Sequence, residues 1–488
     1  MRMRIPRRAL VLATFLSFCG CTHSGDSEKC YKNAQSHPDL ALHYCSLAIQ
    51  SGKLSDQNLA IALNNRGLAY EQKGDYERAI QDYDQAIKLA PSIQMFKNRG
   101  HAYLHKGDYN HAIQDYNRVV LLDPTAQTFN MRGIAYKDKG DYDHAVRDYG
   151  QAIEMNPKYA PAFFNRGLAY VEEGAYDLAI PDFDAAIRLD PSDDQAYTGR
   201  GNTYRKKGDY EQAIQDYDQA IKLNPKNAKA FNSRGIAFDY KGNYDRAIQD
   251  YDQAIKLDPN DARAFYNRGS AFSHKHDYDH AIQDYHQALM LNPSDANAFI
   301  GRGMAYKYKG DYDHAIQDYD QAIKLNPSDA DAFYGRGLLQ FCQAHYGDAQ
   351  KDFANALQLN PKDLYNSIWL YLAQARMGIH ARAELKKSKG GLDLKQWPGI
   401  VIDLYRGRVG PEAVLSAAKN TDPKKQNAQL CEAYFFLAER ALLANNRTEA
   451  VQLLQKSMET NEIQDVEYFM AKEQLRAITQ PKSKGTQS

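Results

Sequence analysis

One phrase recurs along most of this chain, and it restricts the fold more than any other feature. Glycines fall at Gly67, Gly100, Gly133, Gly167, Gly201, Gly235, Gly269, Gly303 and Gly337, at spacings of 33, 33 and then 34 residues six times. Each has an arginine before it and an aromatic three or so residues on, and most copies continue with a Gly-Asp-Tyr turn, alanine, an aromatic, alanine and a proline. Self-similarity at this period means one supersecondary unit repeated, each copy burying its apolar face against its neighbours. In the first copy Tyr70 lies one turn from Gly67 on the same helix face. Gly74-Asp75 ends the first helix and begins the second, glycine taking the left-handed cap and aspartate the N-cap. Ala79, Tyr83 and Ala86 continue an inward stripe at helical spacing, and Pro91 closes the unit.

This phrase resembles the tetratricopeptide repeat (TPR), a pair of antiparallel helices A and B. The expected fold is therefore all-α, a right-handed superhelical solenoid of nine repeats over residues 60–361. A signal peptide is expected over 1–20, capping helices over 21–59, a degenerate helical region over 362–477 and a disordered tail over 478–488.

The residue before each glycine is arginine in all nine copies, and sixteen residues later stands an aspartate. Arg66 with Asp82, Arg200 with Asp216, and Arg302 with Asp318 exemplify the pattern. A lone buried charge costs several kcal/mol, so the two types are expected to pair between helix A and helix B of one repeat. The competing reading, a ladder of ligand-binding arginines, is disfavoured because ligand-specific residues rarely recur nine times.

Function is then expected where repeats differ, at helix A positions three before, one after and four to five after the glycine. Phe164, Leu168, Tyr266, Ile300, Met304, Tyr308, Tyr334, Leu338 and Phe341 place apolar or aromatic side chains there. Two readings stand: a groove for a protein partner, or a surface covered by a C-terminal helix folding back.

The N-terminus carries Arg2, Arg4, Arg7 and Arg8, then the apolar run Ala9 to Phe18, too short to span a bilayer and suited to a signal-peptide core. Phe18-Cys19-Gly20-Cys21 resembles a bacterial lipobox, with Cys21 the expected lipidation site. Thr22 after it implies, by analogy with enterobacterial sorting, the outer membrane. Cys30 and Cys45 lie 15 residues apart on two expected short helices. In an oxidising compartment a bridge is the preferred reading, and two buried free thiols the alternative. Cys342 and Cys431 are read as unpaired.

With 61 basic and 61 acidic residues, and no long basic run, the chain lacks the charge of a nucleic-acid binder. No phosphate loop, HExxH, GxSxG or CxxC is present, so no catalytic residue, metal ligand or cofactor is assigned. His111, His144, His280 and His314 each precede the helix B alanine, at an expected solvent-facing position.

Past Pro361 the phrase decays, and a lysine-rich joint spans 386–391. The order WLYLAQARMG, KQWPGIVIDLYRG, LCEAYFFLAERALLANNRTEAVQLL is similar to the C-terminal half of NlpI-type (new lipoprotein I) TPR lipoproteins, with Trp369, Trp397 and Tyr405-Arg406-Gly407 carrying much of the match. That resemblance implies an outer-membrane adaptor, facing the periplasm, for a periplasmic processing protease and murein (peptidoglycan) hydrolases, and a capacity to form homodimers. The nine regular repeats exceed what that family usually has. The alternative, from a different class, is an anchored cell-wall or carbohydrate binding module, prompted by the tyrosine-rich groove.

Overall fold

The computed structural model describes residues 25–33, 36–379, 394, 397–462 and 466–479. Twenty-six helices and no strand occur among them. The signal segment with Cys21, the joint at 386–391 and the tail from 480 lie outside the described residues.

Two compact units divide the chain, residues 1–225 and 226–488. The first opens with α1 (Gly25–Asn33) and α2 (Pro38–Gln50), joined by a disulfide between Cys30 and Cys45 whose Cα atoms are 4.6 Å apart. Helix pairs follow, beginning with α3 (Asp56–Gln72) and α4 (Tyr76–Leu89), then α5 (Ile93–Lys106), α6 (Tyr109–Leu122) and α7 (Ala126–Lys139). Within each unit every helix of the array packs on the one before and the one after it.

The local chemistry repeats with the sequence. Helix A closes on a left-handed glycine, as at Gly107 (φ 87°) and Gly310 (φ 82°). An aspartate then caps helix B. The Asp75 carboxylate accepts from the Arg78 N–H at 3.1 Å, which satisfies one of the first-turn donors. In seven of the nine repeats the glycine inside helix A meets an aromatic ring of helix B, and at Gly269 and Gly303 it meets a helix B carbonyl first. A Cβ on Gly67 would stand 2.6 Å from Tyr83 Cε1, and one on Gly133 2.7 Å from Tyr149 Cε1. The helix B aromatic is buried in every repeat, so the glycine marks the slot for that ring.

Four positions at three junctions depart from the rule. His276 (φ 61°) and Ala344 (φ 60°) hold the left-handed position without being glycine. Ala175 and His345 occupy the helix B N-cap and supply no side-chain hydrogen bond. Ala344→Gly should therefore raise stability by about 1 kcal/mol through relief of a Cβ–carbonyl clash. Ala175→Asp should raise it by a similar ~1 kcal/mol by restoring a cap. Urea unfolding of each variant checks both, and a loss of stability in either contradicts the local account.

The second unit ends differently. Past the last regular repeat come α21 (Leu364–Arg376), α22 (Gly399–Arg406), α23 (Pro411–Ala417), α24 (Pro423–Leu443), α25 (Arg447–Glu459) and α26 (Val466–Thr479). Trp369 is fully buried among Phe341, Phe353, Phe435 and Phe436, with ring centroids 5.2–6.1 Å away. Arg376 donates to the completely buried Glu439 at 2.8 Å. The Tyr405 hydroxyl donates to the Phe436 carbonyl at 2.8 Å. This half of the unit is a packed core with aromatic anchors rather than a further run of open pairs.

Candidate interaction surface

The arginine before each glycine lies on helix A, and the aspartate sixteen residues on lies nearly two turns into helix B. In all nine repeats Nε and Nη2 donate to the two carboxylate oxygens, at 2.6–2.9 Å. The aspartates are buried, and the arginine side chains keep about a fifth of their surface. Burial pushes the carboxyls of Asp115, Asp216, Asp284 and Asp352 above the usual range, and the arginine only partly offsets it.

Two further contacts were not legible as a pattern. The guanidinium lies 5.5–5.9 Å from the aromatic one turn earlier in eight of the repeats, such as Phe129 below Arg132. Its Nη1 also crosses to the preceding repeat. Arg99 donates to Asp84 at 2.6 Å, Arg200 to Asp184 at 2.6 Å, Arg268 to Asp252 at 2.5 Å and Arg336 to Asp320 at 2.5 Å. In three repeats that second partner is not a carboxylate: Arg66 reaches Ser46 on α2 at 3.5 Å, Arg132 reaches Asn117 at 2.9 Å and Arg302 reaches His286 at 3.2 Å. These arginines therefore tie helix A to helix B and also one repeat to the last.

Neighbouring A helices are linked by asparagines. Asn98 donates to Asn64, Asn165 to Asn130 and Asn267 to Asn232, at 2.9–3.0 Å. His111, His144, His280 and His314 are about half exposed, each with Nδ1 against the N-cap aspartate at 2.7–2.8 Å. Each imidazole also stacks on a helix A aromatic, as His144 does on Tyr136.

The apolar positions of helix A divide into two groups. Phe164 packs edge-on to Phe183, Leu168 is half-buried beside it, and Tyr266 leans on Tyr285. Met304 is 43% exposed. The late positions need correction. Leu338 and Phe341, expected at an exposed groove, are each 1% exposed. They belong to one cluster with Trp369, Phe469 and Met470, against which Ile300 and Tyr334 also pack. Tyr308 and Tyr312 meet the ring of Phe469 at centroid distances of 6.4 and 5.9 Å. Helix α26 covers these positions, so the second of the two sequence readings holds for them, while Met304 on the repeat-eight helix A stays open. Its apolar residues Phe469 and Met470 follow the same spacing as an ordinary amphipathic helix, which gave no sign of where they dock.

Lys307 is caught under this cover. It is 4% exposed, with its ammonium 4.4 Å from the Tyr308 ring centroid and 5.5 Å from that of Phe469. Burial pushes its pKa down to about 8. Cys342, also beneath α26, donates to Met470 Sδ at 3.0 Å, and Cys431 is buried with its Sγ 3.4 Å from the Ser457 hydroxyl; neither forms a disulfide. Among the described residues no group of three or more His, Cys, Asp or Glu could hold a metal ion, and no helix is long and apolar enough to cross a membrane.

Profiles of the tetratricopeptide repeat match residues 60–93, 93–125, 130–194, 183–215 and 262–295, and a further TPR repeat profile matches 201–239, 240–276 and 303–343. The chain belongs to the tetratricopeptide-repeat family. Among solved structures of this repeat class, MamA is 30% identical over 33% of this chain and 95% of its own (TM-score 0.32). YrrB, described as a TPR protein with an unusual peptide-binding site, is 25% identical over 39% of this chain and 98% of its own (TM-score 0.34). A TPR protein from Parabacteroides merdae is 21% identical over 51% of this chain and 98% of its own (TM-score 0.42). No curated protein matches the sequence. TPR arrays serve protein–protein interaction, and the nine-fold ion pairs and ring slots of this one are committed to architecture.

Proposed function

We propose that this TPR protein is a scaffold of the bacterial envelope, lipid-anchored through Cys21, that holds protein partners together and performs no chemistry itself. The observation that carries the scaffold reading is the division of labour on helix A. Residues common to all repeats are buried or paired, while residues that vary, such as Phe164, Leu168, Tyr266 and Met304, remain partly open on one helix face. The anchor reading rests on the lipobox-like Phe18 to Cys21. The Cys30–Cys45 pairing suits an oxidising periplasm. The resemblance of residues 361–477 to NlpI-type lipoproteins supports an outer-membrane site and, as partners, a processing protease and murein hydrolases, with homodimers a further property of that kind.

Metabolic labelling with an alkyne palmitate tests the anchor. Wild type should take up label and fractionate with outer membrane, and Cys21→Ala should lose both. Label retained in the variant, or a wild type released as soluble protein, overturns the lipid anchor.

A further inference from the structure

The second repeat carries two histidines one turn apart on α5, His101 and His105. Residues at this spacing share a helix face. Their Nε2 atoms face one another at 3.1 Å. Two nitrogens bound to one tetrahedral metal ion at ~2.0–2.1 Å each would stand about 3.3 Å apart. The rings are thus already separated as two ligands of one ion are, and they hold that geometry for reasons outside the pair.

Glu71 at the end of α3 hydrogen-bonds His101 Nδ1 through one oxygen. Its other oxygen accepts from the Tyr83 hydroxyl at 2.9 Å, so the carboxylate is fixed at both ends. With Nδ1–H donating to Glu71, His101 presents a bare lone pair on Nε2. A carboxylate behind a ligating imidazole both orients the ring and raises its basicity. The ring of His105 is stacked on Tyr76, with centroids 5.6 Å apart and planes 11° from parallel. The site stays open: His101 keeps 45% of its side-chain surface. Nothing comparable surrounds His111, His144, His280 or His314, which are single imidazoles on capping aspartates.

We propose that His101 and His105 form a bidentate site for one late divalent transition-metal ion, Zn(II) or Cu(II), on the helix A face of repeat two, with water completing the coordination and Glu71 as the positioning residue. Imidazole favours these ions, and Cu(II) stands highest in the affinity order. Binding replaces the His105 Nε2–H···Nε2 His101 contact with two metal–nitrogen bonds, and the His105 proton moves from Nε2 to Nδ1, which leaves the ring neutral.

The test uses untagged full-length protein, titrated with Cu(II) and with Zn(II) by calorimetry, and with Cu(II) by electron paramagnetic resonance. One ion should bind per chain, with superhyperfine coupling from two nitrogens. His101→Gln and His105→Gln should each lower affinity at least tenfold and remove the two-nitrogen signature. Glu71→Gln should keep the signature and lower affinity about tenfold. Circular dichroism of each variant separates loss of a ligand from loss of fold. Binding by the double histidine variant equal to wild type, or no binding by the folded wild type at millimolar metal, overturns the proposal.

Discussion

Asp148→Ala should cost the array about 3 kcal/mol, well above an ordinary surface substitution, because it strands a half-buried guanidinium. Arg132 donates twice to Asp148, at 2.6 and 2.7 Å, and its remaining polar partner is the neutral Asn117. Once the carboxylate is removed, no anion faces the charge. Asp216→Ala should cost about 1 kcal/mol less, since Arg200 keeps Asp184 at 2.6 Å from the preceding repeat. The double variant Arg132→Met, Asp148→Leu should recover most of the loss, because a buried pair replaced by apolar groups of similar volume is often neutral. Urea unfolding gives the totals. Hydrogen exchange localises them, since a stacked array opens by neighbouring repeats. A cost below ~0.5 kcal/mol for Asp148→Ala, the scale of an unremarkable surface change, would mean that the nine pairs do not hold the repeats.

Lys307→Met should stabilise the protein at neutral pH by an amount on the order of 2–3 kcal/mol, and that gain should shrink in alkali. Lys307 lies beneath α26 with a pKa of about 8, against a usual lysine value of 10.5. A folded pKa below the unfolded one means that the native state binds fewer protons between those two values. Wild-type stability then rises with pH over that window, by about 1.4 kcal/mol per unit of pKa difference. Below pH 8 the full penalty of burying the ammonium is present, and above about 10.5 it is gone. The rings of Tyr308 and Phe469 return part of it, which keeps the expected gain below the full linkage value. Parallel melts of wild type and variant from pH 7 to 10.5 decide it. A gain independent of pH would show that the ammonium is solvated in the folded state.

The array was legible because its chemistry is local. Gly67, Gly74-Asp75, Ala79 and Pro91 each state a backbone or packing requirement within one repeat, and nine copies repeat the statement. The arginine and aspartate were legible for the same reason, being matched in number and spacing. The role of Gly67 was less so: the sequence shows a small residue, but only the structure shows that it clears space for Tyr83. The cross-repeat contact from Arg99 to Asp84 was hidden because position 84 varies between copies, as Asn117 and His286 show at matching places. Leu338 and Phe341 misled because their spacing says only that they lie on helix A, while what covers that face is α26, more than a hundred residues later. His101 and His105 did show helical spacing, but Glu71 belongs to the preceding repeat, and nothing in the order of residues joins the three.

The central claim is that the helix A face holds protein partners in the envelope. The direct measurement places a photo-crosslinking residue at the exposed Met304, and in a second strain at Lys97, the α5 residue three before Gly100 that pairs with Asp123 at 3.0 Å, in living cells, with mass spectrometry of the adducts. Purified protein is mixed in parallel with isolated peptidoglycan and sedimented. The scaffold account predicts discrete adducts to a processing protease or murein hydrolases, and no sedimentation with peptidoglycan alone. Sedimentation with purified peptidoglycan, with no protein adduct at either position, would contradict it and make the chain a cell-wall binding module.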